Sequence, residues 1–197
     1  MALNLQSLTG QDILPHVPAL ARLRMEVFRE YPYLYDGSLD YEAQYVATYA
    51  QSPRSLFVLA RDGEEIVGVS TGIPLTDESA AFQQPFIEAG FDPARMFYFG
   101  ESVIRADYRG RGTGVQFFQA RENYARSLGG MDWCLFCAVD RPEDHPRRPD
   151  GYLPLDAFWQ RLGYRRQPSL KATIAWKELD ESEETAKTLS AWLKPLK

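Results

Sequence analysis

The sequence predicts a single α/β domain, and three observations carry that prediction. Apolar spacings of two and of about 3.6 residues take turns along the chain, so strand-like and helix-like segments alternate. A glycine-rich run, Ala106-Asp-Tyr-Arg-Gly-Arg-Gly-Thr-Gly-Val115, joins a strand-like segment to a helix-like one. The 197 residues are 45% hydrophobic and 25% charged, an ordinary globular balance with enough chain to enclose one sheet-and-helix core.

Taken in order, residues 3–8 alternate as a strand. Ile13, Val17, Leu20 and Val27 mark an amphipathic helix, with Pro15 and Pro18 tolerated only near its start. Residues 31–38 form a loop and 40–49 a second helix. Residues 55–60 and 66–72 are strands joined by Arg61-Asp-Gly-Glu64, a hairpin signature. A longer connection holding Pro85 and Pro93 leads to a strand over 96–104, rich in aromatic and β-branched residues. After the glycine run, Val115, Phe118, Ala125 and Leu128 share one helical stripe that stops at Gly129-Gly130. A strand over 133–139, a proline-rich insertion over 141–154 and a short helix over 155–162 follow, then strands near 164–167 and 172–176. Residues 178–184 are acidic, and Leu189, Trp192 and Leu193 predict a docking helix that closes the tail, 178–197. With no internal repeat and no linker, 1–197 reads as one domain.

Charge and cysteine usage narrow the function. A net charge of −5 argues against a nucleic-acid partner, which needs a clustered basic face. No apolar stretch is long enough to cross a bilayer, and the amino terminus lacks the basic start and apolar run of a secretory signal. Cys134 and Cys137, three apart on one strand, point to opposite faces and make poor metal partners. Buried free thiols in a reducing cytoplasm, and no metal, are the expectation.

The glycine run carries the chemistry. Glycines at 110, 112 and 114 strip side chains from the point where a helix begins. Unpaired N–H groups there carry the positive end of the helix dipole, so a phosphate can approach bare backbone beside Arg109 or Arg111. A P-loop would need Lys and then Ser or Thr after the last glycine, but Val115-Gln116 follow. A dinucleotide fingerprint needs Gly-x-Gly-x-x-Gly, and Gly110-x-Gly112-x-Gly114 is one residue short and late in the chain.

Arg109-Gly-Arg-Gly112-Thr-Gly114 matches the Arg/Gln-x-x-Gly-x-Gly/Ala loop of the GNAT superfamily of N-acetyltransferases. Ala157-Phe-Trp-Gln-Arg-Leu-Gly-Tyr164 resembles that family's later helix, and the order of elements agrees. The resemblance implies a mixed, mostly antiparallel sheet of about seven strands, a splayed parallel pair at its middle, and helices on both faces. It also implies acetyl-CoA as acyl donor and transfer to an amine in a ternary complex. Backbone near Val103, Ile104 and Arg105 would meet the pantetheine arm and acetyl carbonyl. The N–H groups of Arg109, Gly110, Arg111, Gly112, Thr113 and Gly114 would hold the pyrophosphate.

An alkyl amine is mostly protonated at neutral pH, so transfer needs a proton acceptor. Glu101, on the strand before the loop, is the candidate base; the alternative is a structural ion pair with an arginine such as Arg105. His145 in the insertion is a second candidate, whereas His16, between prolines, reads as structural. Many members of the family carry a tyrosine on the later helix that can protonate the departing thiolate. Here that position is Trp159, which is no practical acid, leaving solvent, Tyr152 or Tyr164. Tyr31, Tyr33 and Tyr35, beside Asp36, could receive a cationic amine or could pack the loop, even onto a second subunit in a homodimer. The arginines of the insertion point instead to an anionic acceptor, so a small-molecule or peptide amine is as far as the acceptor is defined. The alternative to an enzyme is an acyl-CoA-binding sensor without turnover.

Overall fold

The computed structural model describes residues 3–196. Eight strands form its sheet: β1 (Asn4–Thr9), β2 (Leu56–Asp62), β3 (Glu65–Pro74), β4 (Met96–Tyr98), β5 (Ser102–Ile104), β6 (Trp133–Val139), β7 (Arg165–Trp176) and β8 (Thr185–Pro195). They lie in the order β1-β2-β3-β4-β6-β8-β7, with β5 also on β3. Every pairing is antiparallel except β4 with β6. The helices are α1 (Val17–Phe28), α2 (Leu39–Tyr49), α3 (Ala80–Glu88), α4 (Thr113–Leu128) and α5 (Asp156–Arg161). No helix among the described residues is long and apolar enough to cross a membrane.

The middle of the sheet is buried on both faces, and β2 shows why its sequence is continuously apolar. Phe57 and Leu59 enter one core with Leu20 and Leu23 of α1 and Val46 and Tyr49 of α2. Leu56, Val58 and Ala60 enter another with Phe117, Phe118 and Ala125 of α4. Alternate residues of a strand serve opposite faces, so a strand covered twice has no polar face to show. Cys134 and Cys137 obey the same rule: one lies in each core, both buried. Burial pushes both thiols up to about 12.

Four segments depart from the sequence reading. The stretch 96–104 is two strands, because the chain breaks at Phe99-Gly100-Glu101. Gly100 is required there: a Cβ would stand 2.5 Å from the Tyr49 hydroxyl and 2.9 Å from Thr71 Oγ1. The connection before it contains α3, capped by Ser79, whose hydroxyl accepts from the Phe82 N–H (3.2 Å). Pro85 inside α3 removes one helical donor, but Phe86 on the same helix is buried in the core. The strands near 164–167 and 172–176 are one strand, β7, with a register shift between Gln167 and Lys171.

The fourth departure is a correction. The tail does not close in a docking helix; 185–195 is β8, inserted between β6 and β7. Leu189, Ala191 and Leu193 enter the α1–α2 core, and Trp192 between them enters the α4 core. The spacing of Leu189, Trp192 and Leu193 also fits a helical stripe, so periodicity alone did not separate the two.

Candidate active site

The site begins where the parallel pair comes apart. Phe99 N–H donates to the Leu135 carbonyl at 2.7 Å, the last bond between the two sides. Beyond it β5 stays on β3 and β6 stays on β8. The Glu101 carbonyl accepts from Thr71 N–H (3.1 Å), and Arg105 N–H donates to the Val67 carbonyl (3.0 Å). Odd residues thus bond toward β3, and the backbone groups of Ser102 and Ile104 turn to the gap. Of Val103, Ile104 and Arg105, only Ile104 therefore presents its backbone there; Val103 is buried in the α1 core. Ser102 is the other gap-facing residue, and the sequence reading passed over it.

The glycine run lies beside this gap. Gly110 and Gly112 have φ of +76° and +83°, and a Cβ on either would meet nothing within 4 Å. Gly112 stands at the N-cap of α4 and offers no capping side chain, so no cap bond takes up the first N–H groups of the helix. Such a bare, positively polarised cradle fits a pyrophosphate. Thr113 is buried, and Gly114 lets Phe158 of α5 close in, its ring 3.4 Å from where a Cβ would be. The arginines are tied to the protein. Arg109 donates to the Ile104 carbonyl (3.0 Å) and to Glu30 (2.7 Å), and Arg111 donates to the Asp107 carbonyl (2.8 Å). Arg105 pairs with Glu65 (2.6 Å) and Asp107 (3.1 Å).

On the opposite face of the break stands Glu101, buried and ion-paired. Its partner is Arg24 of α1 rather than Arg105, and Arg24 also pairs with Glu42 of α2. The Arg24 guanidinium sits 4.2 Å from the Tyr45 ring and 5.0 Å from that of Phe28. Burial, and after it the nearby Glu42 carboxylate, push the Tyr35 phenol up. Two buried carboxylates thus share one guanidinium.

The loop over 31–35 and the insertion over 141–154 cover this face together. Tyr31 packs edge-on to Tyr152 (4.7 Å between centroids) and lies 5.6 Å from the His145 ring. Arg141 donates to the Tyr33 carbonyl (3.1 Å) and to Glu178 (2.6 Å). Burial pushes the Tyr33 phenol up to about 12, and raises that of Tyr152. The structure therefore gathers Tyr31, His145 and Tyr152 into one group, and links Glu42 to Glu101 through Arg24. His145 Nδ1 accepts from the Arg147 N–H (3.1 Å). Tyr164 is engaged elsewhere, donating to Glu122 at 3.1 Å, and Trp159 packs on Phe136 and Trp192.

Sequence reasoning missed Arg24, Glu42, Ser102 and Arg121. For the arginines a signal existed. Arg24 falls within the apolar stripe Leu20, Leu23, Val27, and Arg121 within Phe117, Phe118, Ala125. A charge on the buried stripe of a helix must find partners there.

Fold and site together define an α/β domain with a parted parallel pair beside an anion-ready helix start. The model of the acetyltransferase (GNAT) family matches residues 19–164, and the chain belongs to that family. Solved structures agree in fold. The ribosomal-protein-alanine N-acetyltransferase of Brucella melitensis superposes with a TM-score of 0.63 at 13% identity, covering 98% of this chain and 100% of that one. A Salmonella typhimurium protein solved with its cofactor acetyl-CoA gives 0.61 at 9% identity, over 100% and 95%. The PaiA N-acetyltransferase of Thermoplasma acidophilum, solved with coenzyme A, gives 0.59 at 10%, over 99% of each chain. No curated protein matches the sequence.

Proposed function

We propose that the protein transfers an acetyl group from acetyl-CoA to a cationic primary amine, directly and in a ternary complex. The observation that carries this is the open edge of β5 beside the uncapped start of α4. Ser102 and Ile104 would bind the pantetheine arm as an added strand, and an N–H on that edge would donate to the acyl carbonyl. Backbone N–H groups from Gly110 to Gly114 would hold the pyrophosphate; that of Arg109, expected among them, is instead bonded to the Ala106 carbonyl (3.2 Å). When bound, the donor supplies an activated thioester; everything else falls to the chain.

The acceptor class follows from charge. Glu42 and Glu101 are two acids sharing the one base Arg24, a cluster that suits an ammonium group entering under the loop over 31–35. Glu101 then takes the amine's proton, and Tyr31, Tyr152 and His145 line the approach. With Trp159 at the family's usual acid position, the thiolate leaves to solvent. The buried thiols suit a reducing cytoplasm.

The ion pair that occupies Glu101 favours one second reading, an acyl-CoA-binding module without turnover. Thiol release from acetyl-CoA across a panel of amines separates the two. The enzyme reading expects release with cationic amines, lowered about a hundredfold or more in Glu101→Gln with coenzyme A affinity kept. Binding of coenzyme A with no release for any acceptor selects the second reading.

A further inference from the structure

Arg121 lies at the middle of α4 and is 1% exposed, among the most buried side chains in the protein. Its guanidinium is stacked between aromatic rings, 4.1 Å from the centroid of Phe99 and 4.8 Å from that of Phe118. Nε donates to the Phe117 carbonyl one turn back (3.2 Å). The other two nitrogens leave the helix. Nη1 donates to the Thr71 carbonyl (3.3 Å) and to the Glu101 carbonyl (3.0 Å), and Nη2 donates to Ser102 Oγ (2.8 Å).

A core made of Phe97, Phe99, Phe117 and Phe118 has no packing need for a cation. Burial disfavours the charge enough to bring Arg121 down to about 10. Its donors, however, converge on the backbone that leaves the parallel ladder at the break. No other described side chain bonds both residues of the pair Glu101-Ser102, where the acceptor side and the cofactor side meet. Because Ser102 Oγ accepts from Arg121, the hydroxyl's own proton is free to donate outward, and Ser102 is solvent-exposed.

We propose that Arg121 is a positioning residue: it holds Glu101 and Ser102 in place, keeping the β5 edge open and the Ser102 hydroxyl aimed into the cofactor gap. The planar fork reaches three acceptors on two strands, which a lysine's single ammonium cannot do in the same geometry. This rests on the acetyl-CoA reading above.

The test compares wild type with Arg121→Met, which keeps apolar length without donors, and Arg121→Lys. Three quantities are measured: amide hydrogen exchange without ligand, coenzyme A affinity by calorimetry, and KM and kcat for acetyl-CoA. In the Met variant, exchange over 101–105 should rise about tenfold or more relative to the rest of the core. Coenzyme A affinity should fall, and KM for acetyl-CoA rise, by a similar factor, on the scale of one lost charge-assisted bond. kcat should fall as well, since Glu101 loses the same anchor, and Lys should fall between Met and wild type. Wild-type exchange over 101–105 in the Met variant overturns the proposal, as does a uniform rise across the core. If the Met variant does not fold, the Lys variant decides: wild-type exchange and affinity there overturn it. Failure of the wild-type protein to bind coenzyme A would instead remove the cofactor reading, while ligand-free exchange still tests Arg121.

Discussion

Glu101 and Ser102 are adjacent in sequence yet serve opposite faces, because successive residues of an extended chain alternate. Each is held by a buried arginine from a different helix, Arg24 from one side and Arg121 from the other. Arg24 has the heavier electrostatic duty. Its removal in Arg24→Met would leave Glu42 and Glu101 buried without a counter-charge, which costs about 3–5 kcal/mol. We expect a clear fall in the midpoint of thermal unfolding for Arg24→Met. Adding Glu42→Gln to it should recover part of the loss, since one unpaired charge is then gone. Wild-type stability in the single variant would show that water already reaches these carboxylates.

Among the elements, the start of α4 and the β7–β8 pairing make separable predictions. At Gly112 a side chain has room but the φ of +83° does not suit it, so substitution carries about 1–2 kcal/mol of backbone strain. Gly112→Glu should therefore stay folded by circular dichroism yet abolish acetyl-CoA binding, since it sets a negative charge in the anion cradle. Unchanged affinity would refute the placement of the pyrophosphate. Asp140, at the end of β6, accepts from Lys171 (2.7 Å) and Ser190 (2.7 Å) across the register shift of β7. Burial alone would raise its carboxyl, but the bonds from Lys171 and Ser190 outweigh that and hold it below its ordinary value. A depressed carboxylate stabilises the fold above its unfolded pKa and loses that contribution as pH falls through the folded one. Asp140→Asn should therefore lower stability by about 1 kcal/mol at pH 7, and the gap from wild type should close as pH falls through the carboxyl's lowered folded pKa in urea titrations.

For the whole molecule, β8 decides whether β7 joins the sheet and whether the edge of β6 is covered, because it alone lies between β6 and β7. A chain ending before Thr185 should fail to fold, shown by lost near-ultraviolet dichroism and an expanded elution volume. A native spectrum would mean that β6 and β7 can pair without it. Much of this fold could be read from residues 96–165. The glycine run predicted an uncapped helix start, and Gly110 and Gly112 take the left-handed φ that it required. Cys134 and Cys137 went to opposite faces as their spacing demanded. The tail could not be read, because Leu189, Trp192 and Leu193 satisfy a helix and a strand alike, and only the vacancy between β6 and β7 selects the strand. The partner of Glu101 could not be read either: Arg24 is 77 positions away and meets it only after α1 docks on the sheet. What the sequence determined by itself is local, since backbone conformation, helix starts and strand alternation follow from neighbouring residues. Which buried charge answers which carboxylate, and which edge of β5 is left open, were decided by tertiary structure, because desolvation and pairing exist only once distant segments share one interior.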